Sequence, residues 1–467
     1  MLFRSTDHKS VAEEIVGRFA GQAEGTLAAV KAFGGVMQHC VTQAGDLKPH
    51  VRWFVDPFGY VQVTRAASGG RKKRGTDLLK VLANQGFTAV QGLGGFITFA
   101  TGQHEILHRT FVYAPADGSD HKYRLAARVL DFPNKDNLAP LPWVPRDVAA
   151  HLAFNGKIKE GFEYIGTLVD EFAGDKGVFE DVLLSLKTDP NGPKIDMRNE
   201  LVAFAGERIM LLSDHRMPIT PKCERIAVAI EVTDMKAVQK AINKIMESDP
   251  NATKLEYKGH TIWEIINDDQ SLDDVDVLMV DDGFTAVKTA AKDEDEKETK
   301  PIIPNAAVTI VHGHLLVATH LDFIRDLLNQ PVGEHTLADA VDYKLVHAAL
   351  TKLGAGTDAA HYFVRTDEAY RPTYELIKQG QMPQAETLVG KALNSLLAPD
   401  EEGAVREQEI DGSKLPDYQA VRRYLGPAGM YVRTEKDGWS ITGCLLSKEA
   451  EQPAAPPAAT EPEKKPE

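Results

Sequence analysis

Cysteine is scarce in this sequence: Cys40, Cys223 and Cys444 stand far apart, and no two form a CxxC pair. That excludes a disulfide scaffold and a cysteine-based zinc site, and it leaves the compartment open. Long apolar runs are missing as well, since none approaches the ~18–20 residues that a membrane helix needs. Positive charge is in the minority, with 53 Lys and Arg against 68 Asp and Glu, a net charge of −15. So acidic a chain lacks the basic surface that nucleic acid or an anionic membrane demands, and no nucleic-acid partner and no membrane-spanning segment is expected. Nor do the first residues, Met1-Leu2-Phe3-Arg4-Ser5-Thr6-Asp7, read as a basic region followed by an apolar one, so the sequence as written shows no signal peptide.

What is present is internal repetition. Leu2–Thr6 resembles Leu315–Thr319, and each leads into an amphipathic helix: Val11, Ile15, Val16 and Phe19 in one, Phe323, Ile324, Leu327 and Leu328 in the other. Thr26-Leu27-Ala28 then matches Thr336-Leu337-Ala338, and Trp53-Phe54-Val55 matches Tyr362-Phe363-Val364, with Tyr60 answering Tyr370. Ala149-Ala150-His151, leading to Tyr164, parallels Ala359-Ala360-His361, leading to Tyr374. A hairpin after a Gly-containing turn recurs at Gly95 to Tyr113, Gly206 to Val232 and Gly426 to Leu446. The aromatic residues at these repeat positions read as core packing rather than a ligand box.

The clearest unit begins with Arg225–Val232, which alternates as a strand. Asp234 is placed to cap a helix from Met235 to Met246. A strand at Lys254–Ile265, an acidic stretch, the strand Ala306–Val311, a His312-Gly313 turn and the strand His314–Thr319 follow. The predicted fold is therefore α+β, with repeated strand–helix modules forming antiparallel sheets covered by helices on one face. Residues 1–147 read as a first module, 148–358 as a second carrying an acidic insertion at 268–300, and 359–448 as a partial third. The tail 449–467 reads as disordered from its Pro, Ala, Glu and Lys content, and the insertion as a partly disordered loop. Leu2–Thr6 has no upstream hairpin partner, whereas Leu315–Thr319 has one in Ala306–Val311. An unpaired half hairpin exposes an edge, so the expectation is a true start upstream of Met1.

Several motifs imitate chemistry. His104-Glu105-Ile106-Leu107-His108 fits HExxH, and Glu171 could supply a third zinc ligand, with Glu105 as general base of a hydrolase. That chemistry needs a helix, where i and i+4 share a face. The flanks Phe96-Ile97-Thr98-Phe99 and Thr110-Phe111-Val112-Tyr113 are β-branched and aromatic, which predicts a strand. On a strand the two histidines stand ~13 Å apart, too far to share one ion. His312, His314 and His320 resemble a metal pair, but Gly313 puts the first two at a hairpin tip and an exposed, unliganded turn is the expectation. Gly70–Thr76 lacks the Lys of a phosphate loop, and Gly92-Leu93-Gly94-Gly95 reads as a turn between strands. The aspartates of 268–282 lack EF-hand spacing, and no GxSxG elbow exists. Trp143, between Pro142 and Pro145, is expected to anchor a linker.

Leu315–Thr319, Thr336-Leu337-Ala338, Tyr362-Phe363-Val364, Arg52–Gly59 and Tyr424-Leu425-Gly426-Pro427 together give the chain its resemblance to large exported bacterial proteins with repeated domains of unknown function, frequent in planctomycetes. The resemblance spans most of the chain before the tail. It implies export to the periplasm or cell envelope and carries over no functional residues. The expectation is a non-catalytic protein without cofactor or metal, meeting a protein partner or envelope component through its surfaces. The competing reading is the zinc-dependent hydrolase.

Overall fold

The computed structural model describes residues 8–21, 25–67, 77–116, 118, 121–266, 278–279, 285–286, 305–384 and 410–448. Leu2–Thr6, Gly70–Thr76, the tail and nearly all of the acidic stretch lie outside these residues, so the expectations placed on them do too.

One unit of three strands is used four times. A first strand enters a connection, and the chain returns as a hairpin whose leading strand pairs back on the first. The first meander is β1 (Val51–Val55), then α3 (Pro57–Ala67) and α4 (Leu78–Asn84), then β2 (Gly92–Thr101) and β3 (His104–Tyr113). The second is β4 (Ala150–Asn155), α5 (Ile158–Ala173), α6 (Val178–Thr188), β5 (Ala205–His215) and β6 (Glu224–Val232). After α7 (Met235–Glu247) and β7 (Ala252–Tyr257), the third comprises β8 (His260–Ile266), β11 (Asn305–Val311) and β12 (His314–Ala318). Between β8 and β11 the described residues are β9 (Leu278–Met279) and β10 (Thr285–Ala286), a separate two-residue ladder. The fourth is β13 (Ala360–Arg365), α10 (Thr366–Ala369), α11 (Arg371–Lys378), β14 (Pro427–Glu435) and β15 (Gly438–Leu446).

All four meanders join one thirteen-stranded antiparallel sheet, in the order β1-β2-β3-β15-β14-β13-β4-β5-β6-β12-β11-β8-β7. The strands at 427–446 thus sit beside β3, and β13 beside β4, so all three sequence segments share a single sheet. The junctions obey a pattern. Hairpin strands meet hairpin strands at β3–β15 and β6–β12, and first strands meet at β13–β4. β7 closes one edge of the sheet and β1 forms the other.

Strand alternation divides the core between the two faces. Ala227, Ala229, Leu316, Ala318 and Ile262 point to one face, which α8 (Leu321–Asn329) covers over β6, β11 and β12 and α9 (Val341–Lys352) covers over β14 and β15. Phe323, Ile324 and Leu327 of α8 are sealed there, each burial stabilising by roughly 1.5–3 kcal/mol. Farther along the same face, Ala32, Val36 and Cys40 of α2 (Lys31–Ala44) pack on Phe96 and Phe111. The opposite face is not bare, as the sequence suggested. Trp263, Val308 and Ile310 alternate onto it and are covered by Val238, Ile242 and Met246 of α7, whose N-terminus Asp234 caps by accepting from the Lys236 and Ala237 amides.

Three local expectations need correction. Lys254–Ile265 is a hairpin, because Lys258 and Gly259 take positive φ and turn the chain between β7 and β8. Gly92–Gly95 is strand, and its glycines serve close approach: a Cβ on Gly94 would lie 2.4 Å from the Trp53 carbonyl oxygen and 3.1 Å from Val36. Gly429 meets the equivalent atoms in the fourth meander, 2.8 Å from the Tyr362 oxygen and 2.5 Å from Val346. Finally, of Trp53, Phe54, Tyr60, Tyr362, Phe363 and Tyr370 only Phe363 is buried; Tyr60 lies on the outward side of α3 and Tyr370 at the junction of α10 and α11, and both are exposed.

Candidate functional site

The four-residue row Asn155, Arg208, Glu231 and His314 crosses β4, β5, β6 and β12 on the face beneath α8 and α9. Asn155, Arg208 and His314 are buried, and His151 lies buried on the same face of β4, four residues before Asn155. Arg208 donates to the Ala139 carbonyl, which ties the 134–149 segment down over the row. Just before the adjoining strand β13, Asp358, fully buried, accepts from Arg433 Nε at 2.9 Å and the Gly356 amide at 2.7 Å and lies 2.9 Å from His361 Nε2. Burial pushes the Asp358 carboxyl up, yet His361, the Gly356 amide and Arg433 together outweigh it and hold the group below its ordinary range. Burial, with Arg208 and His361 nearby, drives His151 down to about 3. Such an imidazole stays neutral near pH 7 and is a poor general base.

His151 Nε2, His314 Nε2, Arg208 Nε and both polar atoms of the Asn155 side chain have no hydrogen-bond partner among the described residues. They are nonetheless buried, with the 134–149 segment lying over Arg208 and His314, and they line neither of the two clefts described below. An arrangement of this kind ties strands from three meanders together in the interior.

The zinc-like motif is extended. His104, Glu105 and His108 lie on β3, with His104 opposite Thr101 and Leu446, and His108 opposite Ile97 and Gly443. A Cβ on Gly443 would sit 2.3 Å from His108 Nε2, so the glycine makes room for that imidazole, and burial lowers its pKa. Glu171 is on α5, accepting from Asn84 Nδ2 at 2.6 Å. The helical geometry that HExxH chemistry needs is therefore not adopted. Among the described residues no three His, Cys, Asp or Glu side chains are grouped to hold a metal ion.

The histidine hairpin departs from expectation. His314 is 5% exposed rather than displayed at a tip, because Trp143, itself buried, packs edge-on against it at 5.4 Å and stacks on His312 at 5.8 Å. His314 Nδ1 is 2.7 Å from the His312 carbonyl oxygen. His320 precedes α8 and contacts the Thr319 hydroxyl and the Lys222 carbonyl. Beside this hairpin an open groove of about 910 Å³ runs between α7 and β11, lined by Met235, His260, His312 and the lysines of α7.

A second cleft, about 500 Å³, opens at the β1 end of the sheet. Leu27, Phe33, Met37, Val41, Trp53 and Phe54 line it, with Arg52 as the charged side chain on its wall. Phe33 meets Phe54 edge to face at 5.4 Å, which stiffens the wall. Cys40 on its floor is pushed up to about 11 by burial, against the pull of Arg52, and so is a poor nucleophile. The fourth meander has the matching groove, built by Leu337, Tyr343, Phe363 and Tyr431, but there it is filled. Val144 and Val148 lie against it, the Leu337 amide donating to the Val144 carbonyl at 3.0 Å and Arg365 to the Val148 carbonyl, and β4 pairs along β13. Sequence reasoning missed this open cleft. Its signal lay in the repeat itself, where Leu27 and Val30 match Leu337 and Ala340, although only the latter pair finds cover.

No protein-family model matches the sequence, and no curated protein matches it. Among solved structures the chain is similar to three crystal forms of TP0453. Form III is 10% identical with a TM-score of 0.26, covering 67% of this chain and 82% of that one. Form I is 10% identical with a TM-score of 0.22, over 68% and 96%. Form IV is 9% identical with a TM-score of 0.25, over 66% and 80%.

Proposed function

We propose that this chain is a non-catalytic binding protein that works through its surfaces in the bacterial periplasm or cell envelope. The location rests on the resemblance to exported repeat proteins. The non-catalytic reading is supported by the enclosure of the polar row and by the extended backbone of the HEILH segment. The observation that carries the binding role is the apolar cleft left open beside β1, whose counterpart beside β13 is filled by the chain's own residues. No described helix is long and apolar enough to cross a membrane.

An environment-sensitive apolar dye, titrated into dilute protein, is expected to saturate one cleft per chain. Met37→Glu should weaken that binding about tenfold, ~1.4 kcal/mol. Metal analysis supplies the counter-test: stoichiometric zinc lost on His104→Ala would overturn the reading in favour of a hydrolase.

A further inference from the structure

The two ends of the sheet are finished differently. β7, at one edge, reads Ala-Thr-Lys-Leu-Glu-Tyr and exposes Thr253, Lys254 and Glu256. Charged side chains along an edge are a common guard against further strand pairing. β1, at the other edge, reads Val-Arg-Trp-Phe-Val, a β-branched and aromatic strand with one charge, and Val51 is 40% exposed. Beside it lies the open apolar cleft. Among the described residues no strand pairs with its outer edge.

The chain contains its own example of what covers such an edge. β1 is the first strand of its meander, and the one internal seam between first strands is β13–β4. There the edge equivalent to β1's is met by another strand of the same kind, running antiparallel. Equivalence is fixed at atomic detail, since Gly94 and Gly429 crowd the carbonyls of Trp53 and Tyr362 in the same way. The β13–β4 register places Tyr362 opposite Leu152, and the Ala-Ala-His alignment makes these two residues each other's counterparts. A local two-fold axis therefore passes between them.

We propose that a second copy of the chain covers the β1 edge, pairing β1 with β1 about a two-fold axis that brings Trp53 opposite Trp53. This rests on the reading of that end as the binding surface and names its occupant. The transposed register then sets Arg52 opposite Phe54 of the second copy, and Val51 opposite Val55. The contact is isologous and closes on itself, so it stops at a dimer. The guarded β7 edge prevents growth from the far ends.

Directly opposed residues in antiparallel strands have Cα atoms ~4.5–5.5 Å apart, within reach of a disulfide. Under mild oxidation, full-length Trp53→Cys is expected to cross-link as a dimer. Arg52→Cys alone and Phe54→Cys alone should not, while an equimolar mixture of those two should. The native cysteines are buried, so the unaltered protein serves as the uncross-linked control. Sedimentation of the unaltered protein checks the result without any substitution and should show a concentration-dependent monomer–dimer equilibrium. A monomer at every concentration, or equal cross-linking by all three single variants, overturns the proposal. If that monomer still binds the apolar dye, the surface-binding reading survives and only its occupant is wrong. If it instead carries stoichiometric zinc, both fall.

Discussion

Leu27 and Leu337 occupy the same place in the same kind of turn, each following a threonine in extended backbone and opening a short 3-10 segment. One is 52% exposed and the other is sealed. Nothing local separates them. The difference comes from residues far away in sequence: Leu337 is covered by the 134–149 segment and by β4's pairing with β13, and the first meander has no such company among the described residues. The same module can thus finish as interior or as surface, depending on whether another first strand arrives at its edge. The end that was left open is the surface proposed to meet a partner.

Substitutions can break or sharpen that contrast. The largest effect is expected at the covered end's buried ion cluster. Asp358→Ala should cost about 3–5 kcal/mol in denaturant unfolding, because Arg433 and His361 lose the carboxylate that pairs them. Since the folded state holds that carboxyl low, its stabilisation is present above the unfolded carboxylate range near pH ~4 and is lost as the pH falls further. Next comes the matched pair itself. Leu337→Ala should cost ~2–5 kcal/mol, while Leu27→Ala in dilute protein should stay within ~0.5 kcal/mol of the parent. Equal costs would erase the distinction between the two ends.

A pH series probes the seam from another side. His151 sits on the strand that covers β13, and its folded pKa of about 3 lies well below the unfolded value. Its contribution is therefore intact above the unfolded pKa near ~6.5 and declines as acid protonates the unfolded chain. Between pH 7 and pH 5 this one group should account for ~2 kcal/mol of lost stability, and His151→Leu should lose correspondingly less over that interval. The last contrast is at the paired glycines. Gly429→Ala, whose Cβ meets Val346 and the Tyr362 carbonyl, should cost ~1–3 kcal/mol. Gly94→Ala should cost less despite similar crowding, because β1 is an edge strand with room to shift.

Much of the fold could be read in the residues. Thr26-Leu27-Ala28 and Thr336-Leu337-Ala338 mark the same turn, the three Gly-led hairpins are β2–β3, β5–β6 and β14–β15, and the strand character of His104–Tyr113 follows from its flanking β-branched and aromatic residues. These are local properties, carried by periodicity and turn chemistry. The single sheet, with β15 returning to β3 across more than three hundred residues, depends on long-range pairing that no local pattern encodes. The same holds for the sites. His151 and His361 were visible as repeat markers, yet their enclosure depends on Arg208, Asp358 and a covering segment supplied from elsewhere. His314 read as a turn residue because Trp143, which buries it, lies far upstream.

Amide hydrogen exchange along β1 and β13 compares the two ends most directly. In full-length protein at high dilution, Val51–Val55 should exchange rapidly while Ala360–Arg365 stays protected, and raising the concentration should slow β1 alone. Protection of β1 equal to that of β13 at every concentration would mean that its edge is already covered within the chain, and would contradict the account.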